Sequence, residues 1–365
     1  MIAGALATID LGIIADNFRV LQSMCGNAEV AATIKADGYG LGAIPLAKTL
    51  YAAGCRTFYV AHLEEALAIR ALHSDTTIYV LHGIPNGSEA EAQTKNITPI
   101  ITDLGALTRM RETAKKKGEI IPVNLHVDTG MNRIGFGASE WNMLIHTPSL
   151  LDGVDVKMVM SHFACSDEPL HPMNEQQRAK FIGATKHFVS AKRTLANSHG
   201  VFLGTHMHFD QVRPGRALSG TNGLKGLKNA LSVHAPIIQL RSIDSDGTVG
   251  YGATQRVQKG MRLAALAYGY ADGLHRVFSN NDQTTGHHFY LHGIAVPVVG
   301  RVSMDLVMVD VSKVPENLVH VGGMVEIVGA HQSVDDWAAQ IGTLGYELMT
   351  HLGNRIERSY IEVKS

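Results

Sequence analysis

The chain has 365 residues, 45% hydrophobic and 18% charged, with a formal net charge of -1. That length accommodates a barrel plus a second domain, and the near-zero charge removes the electrostatic case for nucleic acid or a membrane surface as partner. From three scattered cysteines, a first decade without a basic leader and no apolar run near the roughly 18 residues of a spanning helix, a soluble, cytoplasmic protein is expected.

From about residue 11 to 230, short β-branched runs alternate with longer helical stretches. The predicted strands are Val30–Ile34, Thr57–Ala61, Thr77–Leu81, Thr98–Ile101, Asn124–Val127, Val154–Met160 and Gly200–Phe202. Helical segments fall between them, at Glu64–Leu72, Leu104–Lys117 and Asn174–Leu195. This rhythm fits eight parallel strands closed into a barrel, with an open doubly wound sheet as the competing arrangement. After about residue 230 the runs are short strands between Gly-, Asp- and Asn-rich turns. Pro236–Ile243, Gln255–Leu266, Phe289–Val298, Asp305–Val311 and Gly323–Val328 are expected to form a β domain that one helix near Val334–Ile341 ends.

The first buried strand delivers Lys35 into the turn Ala36-Asp-Gly-Tyr-Gly-Leu-Gly42. A lysine desolvated at a strand end has a lowered pKa, which frees its amine for Schiff-base chemistry. The glycines let backbone approach a ligand, and Tyr39 can donate to a phosphate. Farther on come Asp128-Thr-Gly-Met-Asn-Arg133-Ile-Gly, Ser161-His162-Phe-Ala, Asn197-Ser198, Val212-Arg213-Pro-Gly215-Arg216, Val249-Gly-Tyr251-Gly, Gly269-Tyr270-Ala-Asp-Gly and Gly300-Arg-Val-Ser-Met304-Asp305. Each alone is weak, because Asp-Thr-Gly is ordinarily a turn and a strand-end histidine is ordinarily a satisfied core residue. Together, and in this order, they resemble the alanine racemase family.

The resemblance implies an α/β fold, an N-terminal (β/α)8 TIM-like barrel over residues 11–230 and a C-terminal mainly β domain over 231–365. Residues 1–10 would be a strand associated with the β domain. It also implies pyridoxal 5'-phosphate as cofactor and interconversion of L- and D-alanine by two bases, supplying D-alanine for peptidoglycan. Lys35 and Tyr251 would be those catalytic residues. Tyr39, His162, Ser198, Arg213, Gly215, Arg216 and Tyr346 would hold the cofactor alongside Lys35. Arg133, Met304, Tyr270 and Asp305 would bind substrate. Arginine stays protonated, so Arg213 can donate to a pyridine nitrogen but scarcely protonate it, which disfavours transamination.

Several positions depart from the family pattern. His126 stands where a carbamylated lysine usually anchors the arginine equivalent to Arg133; when protonated it would repel that arginine, so activity is expected to fall toward the histidine range. Thr194 replaces a histidine that supports the arginine at the pyridine nitrogen, and Arg216 and Ser219 replace Ile and Tyr. His206, His208 and Asp210 would share one face of a strand, as a metal site could, but no further ligand supports a metal there. Racemisation of another amino acid remains an alternative. A fold-sharing decarboxylase would need a cysteine in its second domain, and a non-catalytic cofactor carrier would lack that domain. The family implies a homodimer in which each β domain completes the partner's barrel site.

Overall fold

A computed structural model describes residues 4–220 and 224–362; Met1–Ala3 of the expected N-terminal strand lie outside them. Two compact units emerge, Ile14–Leu218 and a second made of residues up to Ile13 with Ser219 onward.

The strands in chain order begin with β1 Leu6–Asp10, β2 Glu29–Val30, β3 Ala32–Thr33, β4 Thr57–Val60 and β5 Thr77–Val80. Then follow β6 Ile97–Ile101, β7 Ile121–His126, β8 Val154–Met160, β9 Lys192–Thr194 and β10 Gln211–Val212. In the first unit they run in the order β2-β10-β9-β8-β7-β6-β5-β4-β3, all parallel. The two ends of this order are halves of one extended stretch. The amides of Ala31 and Thr33 donate to Val212 and Pro214 carbonyls at 2.9 and 2.8 Å, while Ile34 donates to Tyr59 on the other side at 2.9 Å. The sheet therefore closes into a barrel, and an open sheet is excluded.

Strands such as β4 are buried along their whole length, as parallel strands flanked by helices must be. Ala31, Tyr59, Tyr79, Ile100, Met158 and Met160 fill the interior as one cluster, so the barrel is a packed core rather than a pore. Helix Leu104–Lys117 shows how the chain stops and starts its helices. The Asp103 carboxylate accepts from the Ala106 amide at 2.8 Å, Gly118 takes the left-handed C-terminal position, and three lysines sit in the last turn against the helix dipole.

Two expectations fail here. Gly200–Phe202 is not a strand: Gly200–Leu203 is a 3-10 turn. The helix expected over Asn174–Leu195 ends at Thr185, and the strand β9 follows it. That strand is Lys-Arg-Thr, with Lys192 paired to Glu29 and Arg193 to Asp210, so ion pairs rather than apolar residues mark it.

The second unit holds an eight-stranded sheet built on the 12-residue strand β11 Leu231–Ser242. β1 pairs antiparallel with it and parallel with a C-terminal strand, Glu357–Ile361, that the sequence pattern did not suggest. The expected strand Gln255–Leu266 is two, Gln255–Val257 and Arg262–Leu266, with a turn between. Phe289–Val298 is a hairpin of His288–Leu291 and Ile294–Pro297, turned through His292 and Gly293 at φ 51° and 77°. Those positive angles match the twist that tight hairpins require. Two short helices, Val334–Ala339 and Gly345–Thr350, stand where one was expected. Among the described residues no helix is long and apolar enough to cross a membrane.

Candidate active site

The barrel and the β unit each carry part of the expected site. In the barrel, Lys35 follows β3 and opens a turn in which Ala36, Asp37, Gly38 and Tyr39 all have φ between 51° and 64°. Left-handed backbone costs roughly 1–2 kcal/mol per non-glycine residue, so something must hold it. Two carboxylates do. The Ala43 amide donates to Asp37 Oδ1 at 2.7 Å, and the Ala36 amide donates to Glu65 Oε1 at 2.7 Å. The other oxygen of Glu65 accepts from the amides of Ala61 and His62 at 2.7 and 3.1 Å, which ties the lysine turn to the end of β4. Lys35 is half-buried. Desolvation and then the Arg133 guanidinium lower its pKa from the ordinary value, against a smaller opposing pull from Glu65.

Arg213 follows β10 and is buried among neutral acceptors. Its Nη1 donates to Thr194 Oγ1 at 2.5 Å and its Nη2 to the Ser161 carbonyl at 2.7 Å. The same Nη2 lies 3.3 Å from His162 Nδ1, which can only accept from it. Burial and the Arg213 and Arg133 charges push His162 well below the histidine range, so its ring is neutral. Gln177 fixes the His162 segment by donating to the His162 carbonyl at 2.8 Å and accepting from the Ala164 amide at 2.9 Å.

Ser198 Oγ accepts from the amides of Gly215 and Ala217 at 3.0 and 3.2 Å. Tyr39 lies directly on Gly215: a Cβ there would come within 2.3 Å of the tyrosine oxygen, so only glycine allows the approach. Arg216, beside these amides, is close enough to help lower the pKa of His199, after burial. A hydroxyl, two amides and a phenol thus meet at one end of the barrel, an arginine donor free of any carboxylate stands within it, and a desolvated lysine opens the turn beside it. That donor set fits pyridoxal phosphate, a phosphorylated pyridine aldehyde.

His126 is buried, with its Nδ1 unpartnered by any side chain or backbone group. Desolvation first, then the Arg213 and Arg133 charges, lower its pKa to about 4. The expected loss of activity in the ordinary histidine range therefore has no source at this residue, which stays neutral well below it. Arg133 itself is exposed at the barrel end, as the sequence order placed it, after β7.

The alternation of His206, His208 and Asp210 is not a strand face. His206 pairs with Glu175, His208 lies 2.9 Å from the Val201 carbonyl, and Asp210 binds Arg193. Among the described residues no three His, Cys, Asp or Glu groups converge as a metal site.

In the β unit, Tyr251 begins a 3-10 turn and is 72% exposed. Tyr270 and Met304 are joined through backbone: the Tyr270 amide donates to the Ser303 carbonyl and the Ala271 amide to the Met304 carbonyl, both at 3.0 Å. Gly269 permits this, since a Cβ there would meet the Met304 carbonyl at 2.3 Å. The Asp305 carboxylate accepts from Arg355 Nη1 at 2.8 Å, and the same guanidinium binds Asp272 at 2.9 Å. Asp305 thereby braces its loop. Tyr346 sits in helix Gly345–Thr350 and is partly buried. Glu65 and Gln177 are contributors that sequence reasoning missed, because each acts through distant backbone groups and carries no local motif; Arg355 stands in the segment Arg355-Ile-Glu-Arg, but its bonds to Asp272 and Asp305 were not foreseen.

Residues 9–223 match the family model "Alanine racemase, N-terminal domain", and residues 230–360 match "Alanine racemase, C-terminal domain". The chain is 42% identical to an alanine racemase of Rhizobium meliloti, over 98% of this chain and 97% of that protein. It is 40% identical to a catabolic alanine racemase of Mesorhizobium japonicum, over 98% and 94%. Among solved structures, an alanine racemase from Bartonella henselae with covalently bound pyridoxal phosphate superposes with a TM-score of 0.93 at 35% identity, covering 98% of this chain and all of that one. A biosynthetic alanine racemase from Pseudomonas aeruginosa gives 0.88 at 35% identity, over 98% and 99%.

Proposed function

The chain belongs to the alanine racemase family, and from that premise we propose that it interconverts L- and D-alanine in the cytoplasm, as a homodimer, with Lys35 and Tyr251 as its two bases. The observation that carries this reading is Lys35 itself, a lysine kept short of its usual basicity by burial and by Arg133.

Bound through Lys35, pyridoxal phosphate supplies an electron sink that acidifies the Cα–H of an attached amino acid. Ser198, Tyr39, the Gly215–Ala217 amides, Arg216 and Tyr346 would hold its phosphate end, and His162 would pack beside its ring. Arg213 would donate to the ring nitrogen and, as an arginine, would not surrender the proton. Racemisation needs a base on each face of Cα. Tyr251 Oη takes the proton from the L-enantiomer, and Lys35 Nζ returns one from the opposite face; the roles exchange for the D-enantiomer. Arg133 grips the substrate carboxylate with its planar fork, the Met304 amide donates to the same group, and Tyr270 narrows the approach.

Tyr251, Tyr270 and Met304 belong to a different unit from Lys35 and are exposed on it. A dimer about a two-fold axis, each β unit covering the other chain's barrel, would complete two sites at once and exclude water from them. The direct test is a polarimetric or coupled D-amino-acid assay run over a panel of amino acids. L-alanine should be racemised fastest; a protein that leaves alanine unchanged would refute the reading.

A further inference from the structure

Arg213 is a buried cation, and none of its hydrogen bonds goes to a carboxylate. Burying such a charge is costly unless the surroundings fix its donors. What fixes them is a line of groups across the barrel interior that passes through the main chain and the side chain of Gln211. Thr194 Oγ1 donates to the Gln211 carbonyl at 2.7 Å. Its only proton is thereby committed, so its lone pair must face Arg213 Nη1. The Gln211 side chain is clamped from both ends: Tyr59 Oη donates to its Oε1 at 2.5 Å, and its Nε2 donates to Glu29 Oε2 at 2.9 Å. Thr57 and Lys192 in turn donate to the Glu29 carboxylate. Burial keeps the Tyr59 phenol protonated, and its ring lies 5.8 Å from the Arg213 guanidinium carbon. Thr194, Gln211 and Tyr59 are fully buried.

We propose that Thr194 is the positioning residue for Arg213, and that Glu29, Gln211 and Tyr59 form the brace behind it, holding the guanidinium in its donor orientation without a counter-ion. The proposal rests on the racemase reading. Each pairing leaves one choice of donor and acceptor; Tyr59 Oη also lies 3.4 Å from Met158 Sδ, but sulfur is the weaker acceptor, so one arrangement satisfies the line best. Its chemical consequence is selectivity. An arginine held as a pure donor keeps the ring nitrogen unprotonated and limits the competing transamination. In that side reaction alanine is oxidised to pyruvate, the cofactor aldehyde is reduced to an amine that keeps the nitrogen, and water supplies the keto oxygen. Loosening Arg213 admits solvent protons to the ring nitrogen and raises that loss.

The test compares Thr194→Val, Thr194→Ser and Glu29→Gln holoenzymes with the unaltered protein. Two quantities are read: the fraction of bound cofactor converted to its amine form per turnover, followed by absorbance and by released pyruvate, and the melting temperature. Thr194→Val should raise conversion at least tenfold and lower kcat more than it changes KM. Thr194→Ser, which restores the hydroxyl, should return to within threefold of the unaltered protein. Glu29→Gln removes only the charge at the far end and should raise conversion two- to fivefold. The proposal is overturned if Thr194→Val matches the unaltered protein, or if serine fails to reverse its effect. It is also overturned if Glu29→Gln is indistinguishable from the unaltered protein, or if both variants merely lower the melting temperature with conversion unchanged. An unaltered protein that binds the cofactor, shows no racemisation and still transaminates alanine slowly would refute the racemase reading while leaving this comparison readable.

Discussion

The barrel and the β unit solve opposite problems with the same site chemistry. In the barrel, Arg213, Ser198 and His126 are buried and His162 and Lys35 partly so, and most of their polar atoms are already spoken for. In the β unit, Tyr251, Tyr270 and Met304 are 72, 45 and 53% exposed. Large apolar side chains presented together on a surface ordinarily mark a place where something else docks. On the proposed reading, the barrel groups are settled within a single chain, and the exposed groups of the β unit are those a second copy would cover.

The sharpest way to break that contrast is to remove the finished half. Lys35→Ala should abolish racemisation, by roughly 10³-fold or more, since it deletes the proposed cofactor anchor and base together. Borohydride should fix the cofactor to the Lys35 peptide in the unaltered protein and not in the variant. Labelling of the same segment in Lys35→Ala would show that another group is the anchor.

Mixing tests the unfinished half. Inactive Lys35→Ala and inactive Tyr251→Phe proteins, after subunit exchange, should regain activity. Random pairing makes about half the dimers mixed, and each mixed dimer has one site with both residues, so recovery should approach a quarter of the unaltered rate. No recovery after verified exchange would mean that each chain completes its own site.

A smaller effect is expected at Glu65, whose two oxygens hold three backbone amides on either side of the lysine turn. Glu65→Ala should lower kcat on the order of 10–100-fold, because an angstrom of misplacement at a reacting group costs about that much. Glu65→Gln, which keeps an acceptor oxygen, should lose less. Equal losses in the two variants would point to the charge rather than the geometry.

How far the residues alone carried these conclusions follows from where each group bonds. Lys35, Arg133, His162 and Arg213 could be singled out as candidates because each follows a barrel strand and sits in a contiguous motif, and a barrel builds its site from such ends. Thr194 was visible only as a departure, since its partners Arg213 and Gln211 lie 19 and 17 residues away. Glu29 and Gln211 meet across 182 residues, a pairing no local pattern encodes. The strand β9 was hidden for a different reason: Lys192 and Arg193 are satisfied by carboxylates, so hydrophobic periodicity passes over them. In the β unit, strands were recognised where they are apolar and misjudged where a turn such as His292-Gly293 interrupts an apolar run.

The last and smallest effect separates the barrel from the β unit by pH. His126 is held neutral inside the barrel, with its pKa lowered from 6.5 to about 4. The unfolded chain takes up a proton near its ordinary histidine value, and the folded chain refuses it until about 4. Stability is therefore fully present above pH 6.5 and is lost progressively as pH falls through that window. The full difference is worth about 3 kcal/mol for this residue. His126→Asn, which cannot titrate, should flatten this part of the denaturant-midpoint profile between pH 6.5 and 4. It should leave bicarbonate without effect on activity, as in the unaltered protein, since neither side chain can form a carbamate. A profile as steep in the variant as in the unaltered protein would place the titration elsewhere, with the neutral His162 ring the next group to examine.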